Sequence, residues 1–295
     1  MLRAMFPAPP APPSFAADQS STTERYLRYE DCTQDARLIP VAIPPALAGL
    51  WQTVLVHHKG ARASIAARVL PILTRLTLVS HDQPIRVDRA VESHAGFELA
   101  AEPDGSRLYM NVWADLRGIA GRVRPSEAAT ERILAGEVFA EHTFTRPFAP
   151  PDQRRVTSLA GIEGYPEQPS ARHTAQLPAS AQEPPDGGTW LDELARDPSP
   201  AIFTLDQTDA NQHVNSIVYI RVFAEAVQRR LAAAGKQLAI RSKAVDIAYR
   251  KPCFAGDRIH AHVRLFEHAA GLGGAGFLAS DDGKPRCYVR MAFGA

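Results

Sequence analysis

The arrangement of apolar and polar residues is clearest in the last third of the chain. Residues 214–227 place apolar side chains on nearly every face of a helix, and Gly235 follows as a stop signal. A helix that is apolar all round is buried, whereas a surface helix has a single apolar stripe. A strand-like run precedes this helix and four more follow it, at residues 200–209, 238–251, 257–268, 274–281 and 285–294.

The first half of the chain shows the same order of elements. Residues 25–39 are typical of a strand, and residues 44–58 of a helix with Pro45 near its first turn. Four strand-like runs follow, at residues 70–80, 85–93, 95–102 and 107–118. One strand, one helix and an antiparallel meander, present twice, predict an α+β fold in which each sheet wraps around its own helix.

A segment of different composition separates the two halves. Residues 147–198 are rich in Pro, Gly, Ser and Ala, and Pro has no N–H to donate within a ladder or a helix. Loops of this length are uncommon inside a compact domain, so the segment marks a boundary. We expect a disordered Pro-rich tail at residues 1–22, a first module at 23–146, a linker at 147–198 and a second module at 199–295.

The bulk composition excludes several classes of protein. The 295 residues are 45% hydrophobic and 22% charged, and the formal net charge is +1. This balance gives no electrostatic basis for binding nucleic acid or an acidic membrane. No run approaches the roughly 18 apolar residues of a membrane span. Three widely spaced cysteines argue against a disulfide framework or a zinc site, so we expect a cytoplasmic protein.

A polar cluster lies directly before the buried helix of the second module. Asp209, Asn211, His213 and Asn215 alternate within a short stretch. One of them is enough to cap the helix, and the others would then belong to a solvated loop. The alternative is chemical, because a helix N-terminus offers unpaired amides to a carbonyl oxygen that gains negative charge. Asp209 would then act as nucleophile or general base, His213 would orient water or carry its proton, and Asn211 would position substrate or base.

The sequence DANQHVNSIVYI resembles the D-x-N-x-H-V-N-N-x-x-Y signature of the acyl-acyl-carrier-protein thioesterases, which have a hotdog fold. Ser216 replaces the second Asn of the signature. Residues 245–263 are similar to a hotdog strand pair with its Y-R-x-x-x-x-x-G-D corner. The resemblance implies two hotdog modules in one chain, with catalysis in the second. The substrate-binding residues that it implies are Asn215, Tyr219, Tyr249 and Cys253.

The activity implied by this resemblance is hydrolysis of an acyl thioester to free acid and thiol. Asp209, Asn211 and His213 would be the catalytic set. A thioester carbonyl is already electrophilic, so we expect neither a metal nor an organic cofactor. The expected partner is an acyl carrier protein or coenzyme A that carries the substrate, and a homodimer of double-hotdog units stays open.

One position departs from the family pattern. Plant-type members have a glutamate just after the Y-R pair, where this sequence has Pro252, followed by Cys253. Because proline cannot do acid–base chemistry, either Asp209 and His213 suffice, or another carboxylate substitutes, or hydrolysis has been lost. Two other functions therefore stay open: a hotdog dehydratase or hydratase acting on a 3-hydroxyacyl thioester, and a non-catalytic acyl-binding tailoring partner.

Overall fold

A computed structural model describes residues 8–122, 130–269 and 271–294. Within these residues thirteen strands form one continuous sheet. The first-module strands are β1 (Ser20–Arg25), β2 (Leu70–Ser80), β3 (Val91–Ala101), β4 (Leu108–Ile119) and β5 (Arg132–Thr145). Four short strands follow, β6 (Ala171–Arg172), β7 (Thr189–Trp190), β8 (Ala195–Arg196) and β9 (Ala201–Ile202). The second-module strands are β10 (Arg241–Tyr249), β11 (Arg258–His268), β12 (Gly271–Ser280) and β13 (Pro285–Gly294).

The two modules meet at the pairing of β2 with β10 in the middle of the sheet. The strand order is β1-β3-β4-β5-β2 in the first module, continued by β10-β13-β12-β11 in the second. The two central strands are antiparallel, in a register that runs from Ala244 opposite Val79 to Ala248 opposite Arg75. One hydrophobic core contains residues of both modules, so the predicted pair of modules forms a single packed unit.

The long helix of the second module has the position that its apolar faces predict. Helix α3 (Ser216–Ala233) packs on β10, β11, β12 and β13. Tyr219, Phe223 and Val227 are buried on the side that faces these strands. The helix therefore lies against the curved sheet of its own module, which confirms the predicted α+β architecture of a sheet wrapped around a helix.

The helix predicted at residues 44–58 is divided into short pieces in the structure. A 3₁₀ turn (Pro44–Leu47), a single α turn α1 (Ala48–Leu50) and a π turn (Trp51–Leu55) precede helix α2 (Lys59–Ala66). His58 has an extended backbone, with φ −67° and ψ 125°, so the run of turns is interrupted there before α2 begins. The side chain of His58 caps α2 by accepting from the N–H of Gly60 at 3.1 Å.

Further predictions about the first module are corrected by the structure. The strand predicted at 25–39 is absent, because β1 ends at Arg25 and a 3₁₀ turn (Tyr29–Asp31) and an isolated bridge between Cys32 and Leu38 follow it. Residues 85–93 and 95–102 were predicted as two strands, but β3 is one continuous strand and Ile85 forms an isolated bridge. Strand β5 was not predicted. The tail prediction for residues 1–22 is wrong for residues 20–22, which belong to β1.

The segment before β1 is attached to the first sheet. The indole of Trp113 donates to the carbonyl of Pro10 at 2.8 Å, and the ring of Phe15 lies 5.8 Å from it. Residues 1–7 of the predicted tail lie outside the described residues. The predicted linker 147–198 contains β6, β7 and β8, which pair with β3 or β11. The linker is therefore held on the sheet along its length, and the exact domain boundaries stay predictions.

Candidate active site

The polar cluster forms one tight loop in front of α3. Thr208 and Val214 form an isolated antiparallel bridge that closes the loop. Inside it, the N–H of Asp209 donates to the carbonyl of His213 at 2.9 Å, and the N–H of Gln212 donates to the carbonyl of Asp209 at 2.9 Å. Gln212 has φ 64°, the left-handed conformation that allows the chain to reverse here. We call residues 208–214 the catalytic loop, because they contain the three predicted catalytic residues.

The three predicted catalytic side chains lie within this loop. The carboxylate of Asp209 accepts the N–H of Asn211 at 2.8 Å, which leaves its second oxygen available. The ring of His213 meets the ring of Phe254 edge-on, with centroids 5.3 Å apart. In the described part of the chain the Asp209 carboxylate and the His213 imidazole do not hydrogen-bond to each other. The three residues therefore share one closed loop, in which the acid and the imidazole do not form a hydrogen-bonded pair.

The catalytic loop leads directly into the N-terminus of α3. Asn215 caps the helix, because its side-chain oxygen accepts the N–H of Ile217 at 3.1 Å. Among the described residues the N–H of Ser216, the first residue of α3, has no hydrogen-bond partner. A free first-turn amide beside a carboxylate and an imidazole is the arrangement that can polarise a carbonyl oxygen.

The other predicted substrate-binding residues hold the framework under the loop. The hydroxyl of Tyr219 accepts the N–H of Cys253 at 2.8 Å, and the hydroxyl of Tyr249 donates to the carbonyl of Ser216 at 3.0 Å. Cys253 is fully buried, and burial raises the pKa of its thiol, so it is a protonated packing residue. Burial likewise raises the pKa of both tyrosines. Direct substrate contacts by these residues, and by Asn215, stay predictions.

Residues 250–254 form a wall beside the catalytic loop. The carbonyl of Cys253 accepts the N–H of Val214 at 2.9 Å, which joins this segment to the loop. Pro252 is exposed, and the ring of Phe254 is 47% exposed next to His213. Sequence reasoning did not identify Phe254, although its position after the Y-R pair was a usable signal.

Two cavities of about 270 Å³ each lie elsewhere in the molecule. One is lined by residues 159–167 of the linker. The other lies on the opposite face of the sheet from α3 and is lined in part by Arg75, Glu141, His173 and Asp246. Neither is lined by the catalytic loop, so neither provides an acyl-sized pocket beside Asp209.

A duplicated sheet around a central helix, with a catalytic loop at one helix N-terminus, defines a double-hotdog protein of the thioesterase class. The family model of the acyl-ACP thioesterase C-terminal domain matches residues 204–294, which are most of the second module. The match includes the whole catalytic loop and α3. It confirms the predicted resemblance and the predicted enzyme class. No curated protein matches the chain.

Three solved structures are similar to this chain over nearly its whole length. A putative oleoyl thioesterase from Lactobacillus plantarum has 16% identity and a TM-score of 0.63, with 94% of this chain and 97% of that chain covered. The 12:0-ACP thioesterase from Umbellularia californica has 11% identity and a TM-score of 0.58, with 93% and 97% covered. An acyl-ACP thioesterase from Bacteroides thetaiotaomicron has 12% identity and a TM-score of 0.57, with 93% and 98% covered. These likenesses confirm the two-module fold.

Two absences among the described residues concern metals and membranes. No group of three His, Cys, Asp or Glu side chains there is placed to hold a metal ion. In the same residues, none of the helices combines the length and the apolar character that a membrane span needs.

Proposed function

We propose that the chain hydrolyses an acyl thioester to a free acid and a thiol at the catalytic loop. The observation that supports the proposal is the position of Asp209, Asn211 and His213 in one closed loop that leads into the N-terminus of α3. The family match of the second module supports the same class of reaction. Asp209 is the general base toward water, and His213 orients that water or carries its proton.

The helix N-terminus supplies the electrostatic part of the reaction. When water attacks the thioester carbonyl, negative charge develops on the carbonyl oxygen. The free N–H of Ser216 and the positive end of the α3 dipole are suited to stabilise this charge. The thiol then leaves with a proton, and His213 is the nearest group in the loop able to deliver one. Asn211, whose side chain is exposed, positions the thioester or the water.

The carrier of the acyl group is an acyl carrier protein or coenzyme A. Both present the thioester on a pantetheine arm, so the same catalytic loop serves either. The family of the second module favours the carrier protein.

Asp209→Asn tests the role of the carboxylate. An asparagine side-chain oxygen can still accept the N–H of Asn211, so the loop is expected to keep its shape. Loss of a general base is expected to lower kcat by roughly 100-fold or more. The measurement is release of free thiol from a panel of acyl thioesters, with thermal unfolding to check the fold.

Asp206→Asn is the matched control, because Asp206 is an exposed carboxylate just outside the loop. It is expected to keep wild-type activity. Hydrolysis by Asp209→Asn at the wild-type rate would show that Asp209 is not the general base. Product mass separates hydrolysis, which yields a free acid, from dehydration, which retains the thioester and loses water.

A further inference from the structure

The first module contains a loop with the same backbone conformation as the catalytic loop. Residues 32–38 are closed by a bridge between Cys32 and Leu38, as Thr208 and Val214 close the catalytic loop. Each loop has one left-handed residue at the same place, Ala36 (φ 65°) or Gln212 (φ 64°). Two backbone hydrogen bonds are also shared. The N–H of Thr33 donates to the carbonyl of Arg37 at 2.8 Å, as the N–H of Asp209 donates to that of His213 at 2.9 Å. The N–H of Ala36 donates to the carbonyl of Thr33 at 2.9 Å, as the N–H of Gln212 donates to that of Asp209 at 2.9 Å. Residues 32–38 are therefore the counterpart of the catalytic loop.

The counterpart loop has lost the side chains that hydrolysis would use. Its positions equivalent to Asp209, Asn211 and His213 are Thr33, Asp35 and Arg37. Asp35 accepts the Thr33 hydroxyl and forms an ion pair with Arg37, with Nε 3.0 Å from the carboxylate. A carboxylate held by two neighbours, with no imidazole beside it, is a structural arrangement rather than a catalytic one.

An arginine from the second module closes the counterpart loop. Arg241, at the start of β10, is 7% exposed. Its guanidinium donates to the hydroxyl of Ser80 at 3.0 Å and to the carbonyl of Leu38 at 3.5 Å, and a second nitrogen donates to the carbonyl of His81 at 3.0 Å. The guanidinium therefore lies against the end of the loop, where a substrate would have to enter.

Comparison of β2 with β10 identifies the residue of the first module that corresponds to Arg241. Strand β2 has an irregularity between Leu73 and Arg75, and β10 has one between Ser242 and Ala244. Arg241 lies two positions before the irregular residue of β10 and contacts the first module. Ile72 has the corresponding position in β2, two residues before its irregular residue.

The position of Ile72 agrees with the strand register. Strands β10 and β2 pair as far as Ala248 opposite Arg75, so the residues that follow Ala248 run toward the start of β2. Those residues are the wall at 250–254, which is bonded to the catalytic loop through Cys253. Ile72 is 42% exposed and has no polar group to donate to a loop carbonyl. The catalytic loop thus has an apolar, accessible residue at the position that Arg241 fills beside the counterpart loop.

We propose that Ile72 of the first module forms part of the substrate entrance of the active site in the second module. This inference rests on the proposed function. The side chain offers an apolar surface to the acyl thioester close to the catalytic loop and leaves that loop open. The first module then contributes to substrate recognition although it holds no catalytic residue.

Ile72→Arg tests the inference by copying the arrangement of Arg241. The new guanidinium is expected to reach the end of the catalytic loop and to lower kcat/KM by roughly tenfold or more with every acyl thioester. Ile65→Arg, on the exposed face of α2 in the same module, is the matched control and is expected to keep wild-type activity. Thermal unfolding of both variants shows whether the fold is retained.

A second variant keeps the inference testable if Ile72→Arg does not fold. Ile72→Ala removes apolar contact and is expected to raise KM about threefold or more for long acyl chains, with little change for an acetyl thioester. If Ile72→Arg and Ile72→Ala both have wild-type kinetics while Asp209→Asn is inactive, Ile72 is not part of the substrate entrance. That result would leave the proposed function unaffected. An active Asp209→Asn variant would instead remove the proposed function itself.

Discussion

At the scale of single residues, the polar side chains near the catalytic loop fall into two groups: those that hold the backbone in place and those that are accessible to a substrate. Tyr219 and Tyr249 are buried or half-buried, and each uses its hydroxyl to fix a backbone group near the catalytic loop. Asn211 is exposed, and the imidazole of His213 is half-buried against Phe254. The two sequence motifs that contain these residues do not show which of them face the substrate. The division follows from the packing of α3 on β10, which the sequence alone could not supply.

His142 on β5 predicts a pH dependence of stability. Burial lowers its pKa from 6.5 to about 4, so the ring is neutral in the folded protein at pH 7. As pH falls below 6.5 the unfolded chain takes up the proton first, and stability is lost until the pH reaches about 4. We expect this group alone to cost about 2 kcal/mol of unfolding free energy between pH 7 and pH 5. Urea unfolding of wild type and His142→Asn at both pH values measures it.

The asparagine variant should lose correspondingly less stability on acidification than wild type does. His57→Asn removes an exposed imidazole of the same module and is expected to leave the pH dependence unchanged. Equal pH dependence in His142→Asn and wild type would contradict a neutral buried ring.

The elements of the second module were largely predictable, whereas in the first module β2 and β4 were predicted close to their bounds and β5 was not predicted. Helix α3 and strands β10 to β13 have regular periodicity, and the structure has them close to the predicted bounds. Strand β5 contains Gly136, Glu137, Glu141 and His142, which weaken a strand pattern read from sequence. The structure buries Gly136 against Ile43 and His142 beside Trp51, and the linker covers Glu141. For example, His173 of the linker hydrogen-bonds Glu141 at 2.7 Å.

The N-terminus of α3 gives a prediction at the scale of one element. Asn215→Ala removes the side-chain oxygen that accepts the N–H of Ile217 and is expected to cost about 1 kcal/mol of unfolding free energy. Asn211→Ala is the matched control. Its side chain is exposed, so the stability change is expected to stay within about 0.5 kcal/mol. Urea unfolding monitored by circular dichroism compares the two variants, and equal losses would show that Asn215 is not the cap.

At the scale of the whole molecule, the two modules are joined by buried charges that the sequence did not reveal. Asp246 on β10 accepts from Arg75 on β2 and from Arg290 on β13, the latter at 2.9 Å. Each of these charged residues lies within an otherwise apolar strand. In a sequence, such a position is typical of a side chain that faces solvent. Arg75 and Asp246 are 171 positions apart, so only the pairing of β2 with β10 brings them together.

Asp246→Asn tests the importance of this junction. The change leaves two guanidiniums in a buried place without their carboxylate, and we expect a loss of about 3 kcal/mol or more of unfolding free energy. Asp282→Asn, an exposed carboxylate in the β12–β13 turn, should change stability by less than about 0.5 kcal/mol. Urea unfolding followed by tryptophan fluorescence measures both. A similar small effect for both variants would show that the junction depends on apolar packing alone.

The three short strands on the outer side of β11 have a consequence for the behaviour of the protein at high concentration. An unpaired edge strand is a template on which another chain can add, and this is a common route to aggregation. Strands β7, β8 and β9 pair with successive parts of β11, from Phe266 at one end to Arg258 at the other. The Pro-rich connection thus also shields this border of the sheet, and shortening it would expose a long ladder to neighbouring molecules.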